Sequence, residues 1–532
     1  MKDHGLIFGG MLNINISADV DHITYGSVSR TAGSHRIATF LRSHGMDIEV
    51  VDFIASWSFE EFQEFVKSRV KTSTKFFGLG SVGFLNTPTI RMCFAWLKLT
   101  YPDIPFVTGS AQFYSLYFIP SDYMVVGFGE YAILEILKGT AKYKEQTLPN
   151  GHVVKLVNAM EDYPAFPMSN LSIDYEKRDF LQPYESVTME TSRGCIFKCS
   201  FCTFSVLGVK TDHTRSAEDF RDNLKRNYDN YGIYRYSITD ETFNDHSAKI
   251  IKYADVVEAL DFKPNFGGYI RADLLHTRPE DKEHLARMNF NAHHYGIESF
   301  HRPSAAAIGK GMDPDKLKTA ILDTKDYILK NTGFYKGTIS FIVGLPYETE
   351  QSLTITKEWC DQHWRNENVA YLPLHLASDF ENVKQSVLTT SYDKQGYTII
   401  DNEEAFLDES HPMISKFLAD DQIPTDLKNN LRALLILVHP QNIEGFRWRN
   451  NMGMTEKDAI LWILQNVWND DYLKFGVDHW RMNEWFVAGK TEQDLLGSYR
   501  DLGGVRASYD SKINFIENYK LKKINYRDRF SG

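Results

Sequence analysis

The sequence predicts an α/β protein in which two consecutive parallel-sheet units precede a mainly helical region. Three observations carry this. Before residue 140, five short apolar runs alternate with helical stretches: GLIFG (5–9), DIEVVDF (47–53), FFGLGS (76–81), IPFVT (104–108) and YMVV (123–126). From residue 185 to 343 the alternation begins again. After about residue 365 it fades, in a region that holds five of the nine tryptophans. Strands separated by helices imply parallel pairing through crossover connections. The first unit is therefore expected to be a Rossmann-like doubly wound sheet over residues 1–145. A linker over 146–180, a partial (β/α)6 barrel over 181–365 and a mainly helical domain over 366–532 follow.

Each element has a local reason. The five N-terminal runs are short and apolar, and helical stretches at 34–44, 58–67, 88–98 and 130–137 lie between or after them. In the second unit, ESVTM (185–189) is β-prone and ends in the polar turn Glu190-Thr191-Ser192-Arg193-Gly194. YRYSI (234–238) ends at Thr239-Asp240-Glu241, and strand-like segments at 265–269, 293–296 and 338–343 follow, with helical stretches at 217–228, 247–260, 279–288 and 314–330. Beyond residue 365, residues 371–376 read as an additional strand, DKQG (393–396) as a turn, and 426–438, 455–467 and 492–499 as helices. Trp448, Trp462, Trp468, Trp480 and Trp485 are expected mostly in the core.

Composition narrows the function. The chain has 532 residues, a net charge of -11, 43% hydrophobic and 24% charged residues. That balance argues against a broad basic face for nucleic acid. No apolar run of membrane-spanning length occurs, and the N-terminus MKDHGLIFGG lacks the pattern of a signal peptide. These features read as a cytoplasmic protein without a membrane partner. Five cysteines, an odd and mostly clustered set, do not make a secreted disulfide framework. Cys93 and Cys360 stand apart and read as small buried hydrophobes. The terminal Lys520-Leu521-Lys522-Lys523 reads as a solvated tail.

The remaining three cysteines, Cys195, Cys199 and Cys202, fall within eight residues. Structural thiols, a zinc site completed by a fourth ligand such as His213, and an iron–sulfur cubane all compete for them. A cubane normally takes four thiolates, one per iron. Three leave one iron open to a substrate or cofactor.

The C-x3-C-x2-C spacing, with Phe201 before the last cysteine, resembles the signature of the radical S-adenosylmethionine (SAM) superfamily. The resemblance implies a 4Fe-4S cluster held by Cys195, Cys199 and Cys202, with the amino and carboxylate groups of SAM on the fourth iron. It also implies reductive cleavage of SAM to a 5′-deoxyadenosyl radical that abstracts hydrogen from a substrate. Working residues of such barrels lie at the carboxyl ends of strands. Asp240, Glu241, Arg271, Asp273 and Glu298 occupy such positions. Thr239-Asp240-Glu241-Thr242-Phe243 and Gly296-Ile297-Glu298-Ser299 match segments that line the family's SAM site, and Gly344-Leu345-Pro346 resembles its adenine-side loop. Asp240 or Glu241 would accept from the methionine amine.

The N-terminal unit resembles the cobalamin-binding domain that precedes the barrel in one branch of this superfamily. The likeness rests on Gly33 with Ser34-His35-Arg36-Ile37-Ala38 and on Val125-Val126-Gly127-Phe128-Gly129-Glu130. Ser81 and the pair Gly109-Ser110 stand where the family shows a serine loop and a glycine pair. Asp19, Asp21, His22 and Gly26 lack the spacing of an axial-histidine motif, so histidine ligation of cobalt is not expected. No G-x-G-x-x-G follows the first strand, which argues against a nicotinamide cofactor. The implied function is a cobalamin-dependent radical SAM enzyme that methylates an unactivated carbon, served by an electron donor such as flavodoxin or ferredoxin and acting on a small-molecule substrate. A radical SAM enzyme without methyl transfer and a non-enzymatic iron–sulfur or cobalamin sensor are the alternatives.

Overall fold

The computed structural model describes residues 2–467 with breaks, the longer ones at 10–28, 53–58, 81–87, 110–118, 203–212, 378–385 and 436–444. Ser81, Ser110, Trp468, Trp480, Trp485, the near-motif at 19–26, the helix expected at 492–499 and the basic tail lie outside the described residues, as does the side chain of His213. In chain order, the first strands are β1 (His4–Gly9), β2 (Ser29–Arg30), β3 (Asp47–Asp52), β4 (Thr74–Gly80), β5 (Phe106–Gly109), β6 (Tyr123–Val126), β7 (Lys144–Thr147) and β8 (Val153–Asn158). All except β2 form one sheet in the order β3-β1-β4-β5-β6-β8-β7, parallel apart from the β7–β8 hairpin.

This is a doubly wound sheet. Its core strands are continuous apolar runs because helices cover both faces: Leu6, Phe8, Phe77 and Phe94 pack on one side, and Ile7, Val50, Phe76 and Val125 on the other. The chain order reverses at β1, so a crevice opens between the carboxyl ends of β1 and β4. The sheet runs on through β8, into a segment read from sequence as linker. Its hairpin strand KEQT is polar and mostly exposed, which hides it from an apolar-run criterion.

The second sheet continues with β9 (Ser186–Met189), then, beyond the short antiparallel pair β10 (Ser192–Arg193) and β11 (His213–Thr214), with β12 (Arg235–Ile238), β13 (Asn265–Ile270), β14 (Phe290–Glu298), β15 (Lys336–Val343) and β16 (Asn368–Pro373). The order β16-β15-β14-β13-β12-β9-β2 is parallel throughout. The six strands from 186 to 373 make an open barrel wall, whose sixth strand, β16, lies beyond residue 365, where the sequence reading placed an additional strand at 371–376 outside the barrel. One feature was not legible: Ser29–Arg30, from the N-terminal unit, adds to the free edge of β9. Two polar residues carry no periodicity.

Register assigns the two faces of this wall. His293, Tyr295, Ile297, Ile339, Phe341 and Tyr371 point outward into the helix-covered core. Tyr269, His294, Ser340 and Leu372 therefore point inward. The C-terminal part contributes Trp448 and Trp462 to the core, as expected, and a helix at Glu456–Asn466 with a Thr455–Asp458 capping box. No helix among the described residues is long and apolar enough to cross a membrane.

Candidate active site

The loop that carries the cysteines leaves β9 and is gripped from several sides. Asp240, at the end of β12, is 1% exposed. Its Oδ1 accepts from the Thr191 and Ser192 amides (2.7 and 3.0 Å), and its Oδ2 from their hydroxyls (2.5 and 2.7 Å). Lys249, also buried, lies 3.6 Å from Asp240 and 2.6 Å from Asp245. Further along, the Ser200 amide donates to the Ile308 carbonyl, and the Leu388 amide donates to the Ser200 carbonyl. The backbone of the cysteine loop is thus held before, within and beside its thiols.

The three thiols form no disulfide; Cys199 is buried, and Cys195 and Cys202 are partly exposed. Arg271 donates to Cys199 Sγ at 3.6 Å, lies 3.7 Å over the Phe197 ring and pairs with Asp273 at 2.5 Å. Asn244 locks the Arg271 backbone by bonding both its amide and its carbonyl. Among the described residues no three His, Cys, Asp or Glu side chains converge on one point as a single-ion site would require. A cubane offers separate irons to separate thiolates and asks for spaced sulfurs on one loop, so this donor set fits an iron–sulfur cluster. A guanidinium against one thiolate offsets its charge and tunes the potential. Arg271→Leu is therefore expected to lower the cluster's reduction potential, on the order of tens of millivolts. Redox titration followed by paramagnetic resonance checks this, and an unchanged or raised potential counts against it.

Beside the cysteine loop, Glu241 differs sharply from its neighbour Asp240. Its Oε2 is buried with no hydrogen-bond partner. Burial, then the adjacent Asp240 and Glu190 charges, push its carboxyl up to about 7. Asp240 is consumed by the loop, whereas Glu241 presents an unfilled acceptor. Glu298 adopts a left-handed backbone (φ 67°) at a bulge in β14 and pairs with Lys310 at 2.9 Å. Lys310 also donates to the Gly296 carbonyl at 2.5 Å and lies 5.7 Å over Phe201. Glu298 and Phe201 thus meet through a lysine that sequence reading passed over. Its only signal was a charged residue between two glycines, Gly309 and Gly311.

At the end of β15, Gly344 has φ 103°, and a Cβ there would fall 2.1 Å from the Trp448 ring. Only glycine fits. Glu348, also unforeseen, accepts from the Gly344 and Leu345 amides and the Ser299 hydroxyl, and burial pushes it up to about 8.

Those predicted residues of the N-terminal unit that are described gather at the carboxyl edge of its sheet. Ser34 lies against both Gly9 and Gly80; a Cβ on Gly80 would fall 2.2 Å from Ser34 Oγ. Gly33 is in the first turn of the same helix, and Gly109 ends β5. Gly127 turns the chain after β6, and Gly129 is the N-cap of the helix Glu130–Lys138. Glu130 itself, 2% exposed, is bonded at 2.6 Å to Arg193, two residues before Cys195. His35 is fully buried on Asp52 at 3.0 Å.

Comparison with known proteins agrees with this geometry. The family model described as Radical SAM superfamily matches residues 189–360. An uncharacterized methyltransferase of Pyrococcus horikoshii is 28% identical over 251 residues, covering 44% of this chain and 51% of its own length. The chain thus spans about half of that relative. A putative methylthiotransferase of Methanocaldococcus jannaschii is 25% identical over 365 residues, covering 66% of this chain and 76% of its own. Among solved structures, the radical SAM methyltransferase TsrM from Kitasatospora setae, with cobalamin and a 4Fe-4S cluster bound, superposes with a TM-score of 0.54 at 13% identity, covering 78% of this chain and 79% of that one. OxsB, a cobalamin-dependent SAM radical enzyme with aqua-cobalamin and SAM bound, gives 0.53 at 15% identity, covering 99% and 78%. At these identities the two structures speak for the fold alone. Residues 189–360 of this chain thus match the Radical SAM superfamily model, and the fold of its described residues is shared with TsrM and OxsB.

Proposed function

We propose that this protein is a cobalamin-dependent radical SAM methyltransferase acting on an unactivated carbon of a small molecule, with its N-terminal sheet holding the corrinoid and its barrel holding cluster and SAM. The observation that supports this most is the direct bond between Glu130, on the carboxyl edge of the N-terminal sheet, and Arg193, on the cysteine loop. A methyl group carried by cobalt must reach a carbon activated beside the cluster, so the two edges have to adjoin. When bound, cluster and SAM supply the radical that removes hydrogen, and methylcobalamin supplies the methyl group.

The chain's own residues have separable parts. Cys195, Cys199 and Cys202 hold the cluster, and Arg271 tempers its charge. Glu241 accepts from the methionine amine, while Glu298 and Lys310 form a charged pair at the end of β14. Inside the barrel, His294 bonds Ser340 at 2.6 Å and packs against Tyr269 at 4.6 Å. Burial, then the Lys310 charge, push His294 down to about 3, so its imidazole is neutral at neutral pH. It suits a substrate that is hydrogen-bonded rather than ion-paired. A one-electron donor of the flavodoxin or ferredoxin kind completes the system.

The reading is tested by incubating anaerobically reconstituted protein with reduced hydroxocobalamin and SAM bearing a labelled methyl group. Label should appear in methylcobalamin; its absence, with the corrinoid bound, sinks the methyltransferase assignment. Glu241 makes a pH-dependent prediction. Its folded value of about 7 lies above the ordinary 4.5, so the unliganded carboxyl gains a proton as pH falls through 7 and accepts less well. SAM affinity of Glu241→Gln should be about tenfold weaker than wild type at pH 8, as for one lost charge-assisted hydrogen bond, and the gap should shrink by pH 6. Equilibrium dialysis at both values measures it; a pH-independent gap removes Glu241 from this role.

A further inference from the structure

Where the two units meet, buried polar groups remain unfilled. Arg36, on the helix Ala32–Ser43 that follows the β1 crevice, is 3% exposed, yet its Nε and Nη1 have no hydrogen-bond partner. Arg193 and Glu130 are in the same state in part: Arg193 Nη1 and Glu130 Oε2 are buried without partners, although the two residues bond each other through other atoms. These groups belong to one cluster. The Arg36 and Arg193 guanidinium carbons lie 5.7 and 5.8 Å from the centroid of the same Phe166 ring. Arg193 also covers Phe128 at 4.1 Å and bonds Glu190 at 2.9 Å. Arg36 feels the charges of Glu130, Glu190, Arg193 and Arg215, and burial, its largest influence, brings its pKa down to about 10.

Buried guanidinium and carboxylate groups that lack partners are costly, so something should fill this set. Its chemistry restricts what. Three unfilled N–H-bearing nitrogens accompany one unfilled oxygen in this cluster, and with the nearby Arg215, itself paired with Asp219 at 2.6 Å, its guanidiniums are already balanced by the carboxylates of Glu130, Glu190 and Asp219. A carboxylate or phosphate would add negative charge beside Glu130, and an ammonium would meet two cations. A neutral group that accepts through oxygen and donates through nitrogen satisfies both kinds of atom without adding charge.

We propose that Arg36, Arg193 and Glu130 form a receptacle for a primary carboxamide of the ligand held at the edge of the N-terminal sheet, its oxygen accepting from Arg36 and Arg193 and its nitrogen donating to Glu130. The proposal rests on the corrinoid reading above, since a corrin ring carries peripheral carboxamides. It makes Glu130 both an anchor of the cysteine loop and a sensor of the ligand.

The test uses binding alone, with hydroxocobalamin and its monocarboxylic acid derivatives, in each of which one peripheral amide is a carboxylate. Full-length reconstituted protein is titrated with each by visible absorption. Wild type should bind at least one derivative about tenfold more weakly than hydroxocobalamin, on the scale of one charge-assisted hydrogen bond turned to repulsion. Glu130→Gln should recover most of that loss for the same derivative and no other. Arg36→Met should weaken hydroxocobalamin itself about tenfold with an unchanged circular dichroism spectrum. If Arg36→Met does not fold, the crossover between Glu130→Gln and the derivatives decides alone. Equal binding of all derivatives, or no recovery in Glu130→Gln, overturns the receptacle while leaving corrinoid binding intact and means these donors face only water. Failure of wild type to bind hydroxocobalamin at all removes the corrinoid reading together with the proposal.

Discussion

Cys195→Ala, Cys199→Ala and Cys202→Ala should each reconstitute with little or no 4Fe-4S cluster and lose reductive SAM cleavage, whereas Cys93→Ala and Cys360→Ala should keep both. The contrast follows from ionisation as well as position. A cluster ligand must be a thiolate. Burial pushes the Cys93 and Cys360 thiols up to about 12, so neither surrenders its proton readily near neutral pH. Cys93 packs with Phe94 and Leu97 under the N-terminal sheet, and Cys360 packs in the barrel's outer core near Trp364. Truncating either removes one buried sulfur, an effect of about 1 kcal/mol on stability. The three clustered cysteines share one loop, and a cubane missing one of three protein ligands exposes a second iron. Iron and sulfide per chain, with the yield of 5′-deoxyadenosine, measure the outcome. A Cys360→Ala protein without cluster, or a Cys199→Ala protein that cleaves SAM at the parent rate, contradicts the assignment.

What the sequence discloses of this molecule divides along a physical line. The first sheet's strands from β1 to β6 are legible because parallel strands covered on two faces must be continuous apolar runs, and YMVV or GLIFG can hardly be anything else. The second sheet's strands carry polar residues on their inward face and are legible by their alternation with helices, whereas the apolar β8 (VVKLVN) reads as linker because no helix separates it from the hairpin strand before it. The β7 strand KEQT and the two-residue β2 escape because their burial or pairing is decided by neighbours far away in the chain. The site divides likewise. Three cysteines in eight residues announce a cluster, since spacing along a loop is itself the chemistry. Asp240 and Glu241 are adjacent carboxylates with equal claims in sequence, and only the fold shows that one is saturated by Thr191 and Ser192 while the other keeps a free oxygen. Glu130 is legible as a residue at the carboxyl edge of the N-terminal sheet. Its bond to Arg193, 63 positions away, is not.

That difference between neighbours changes what Asp240 is expected to do. Read from sequence, its loss should impair handling of SAM and spare the cluster. In the structure its carboxylate is the point on which the cysteine loop turns: four hydrogen bonds converge from Thr191 and Ser192, and Lys249 supplies the counter-charge. Asp240→Ala strips partners from two amides, two hydroxyls and an ammonium 2% exposed in its side chain. Breaking a buried charged network by removing one member costs about 3–5 kcal/mol. Asp240→Asn keeps the shape but puts an N–H donor where hydroxyl donors point, and should cost about 1–3 kcal/mol for the bonds left unmade. Because Thr191 and Ser192 lead directly into Arg193, Gly194 and Cys195, the lost stability should concentrate in the cysteine loop, and iron content should fall with it. Denaturant unfolding and iron quantification should therefore rank wild type above Asp240→Asn above Asp240→Ala in both measures, with Thr191→Val and Ser192→Ala each closer to wild type. An Asp240→Ala protein with full iron and a wild-type midpoint, defective only in SAM binding, would return Asp240 to the SAM site and leave the conformation of the cysteine loop without its proposed support.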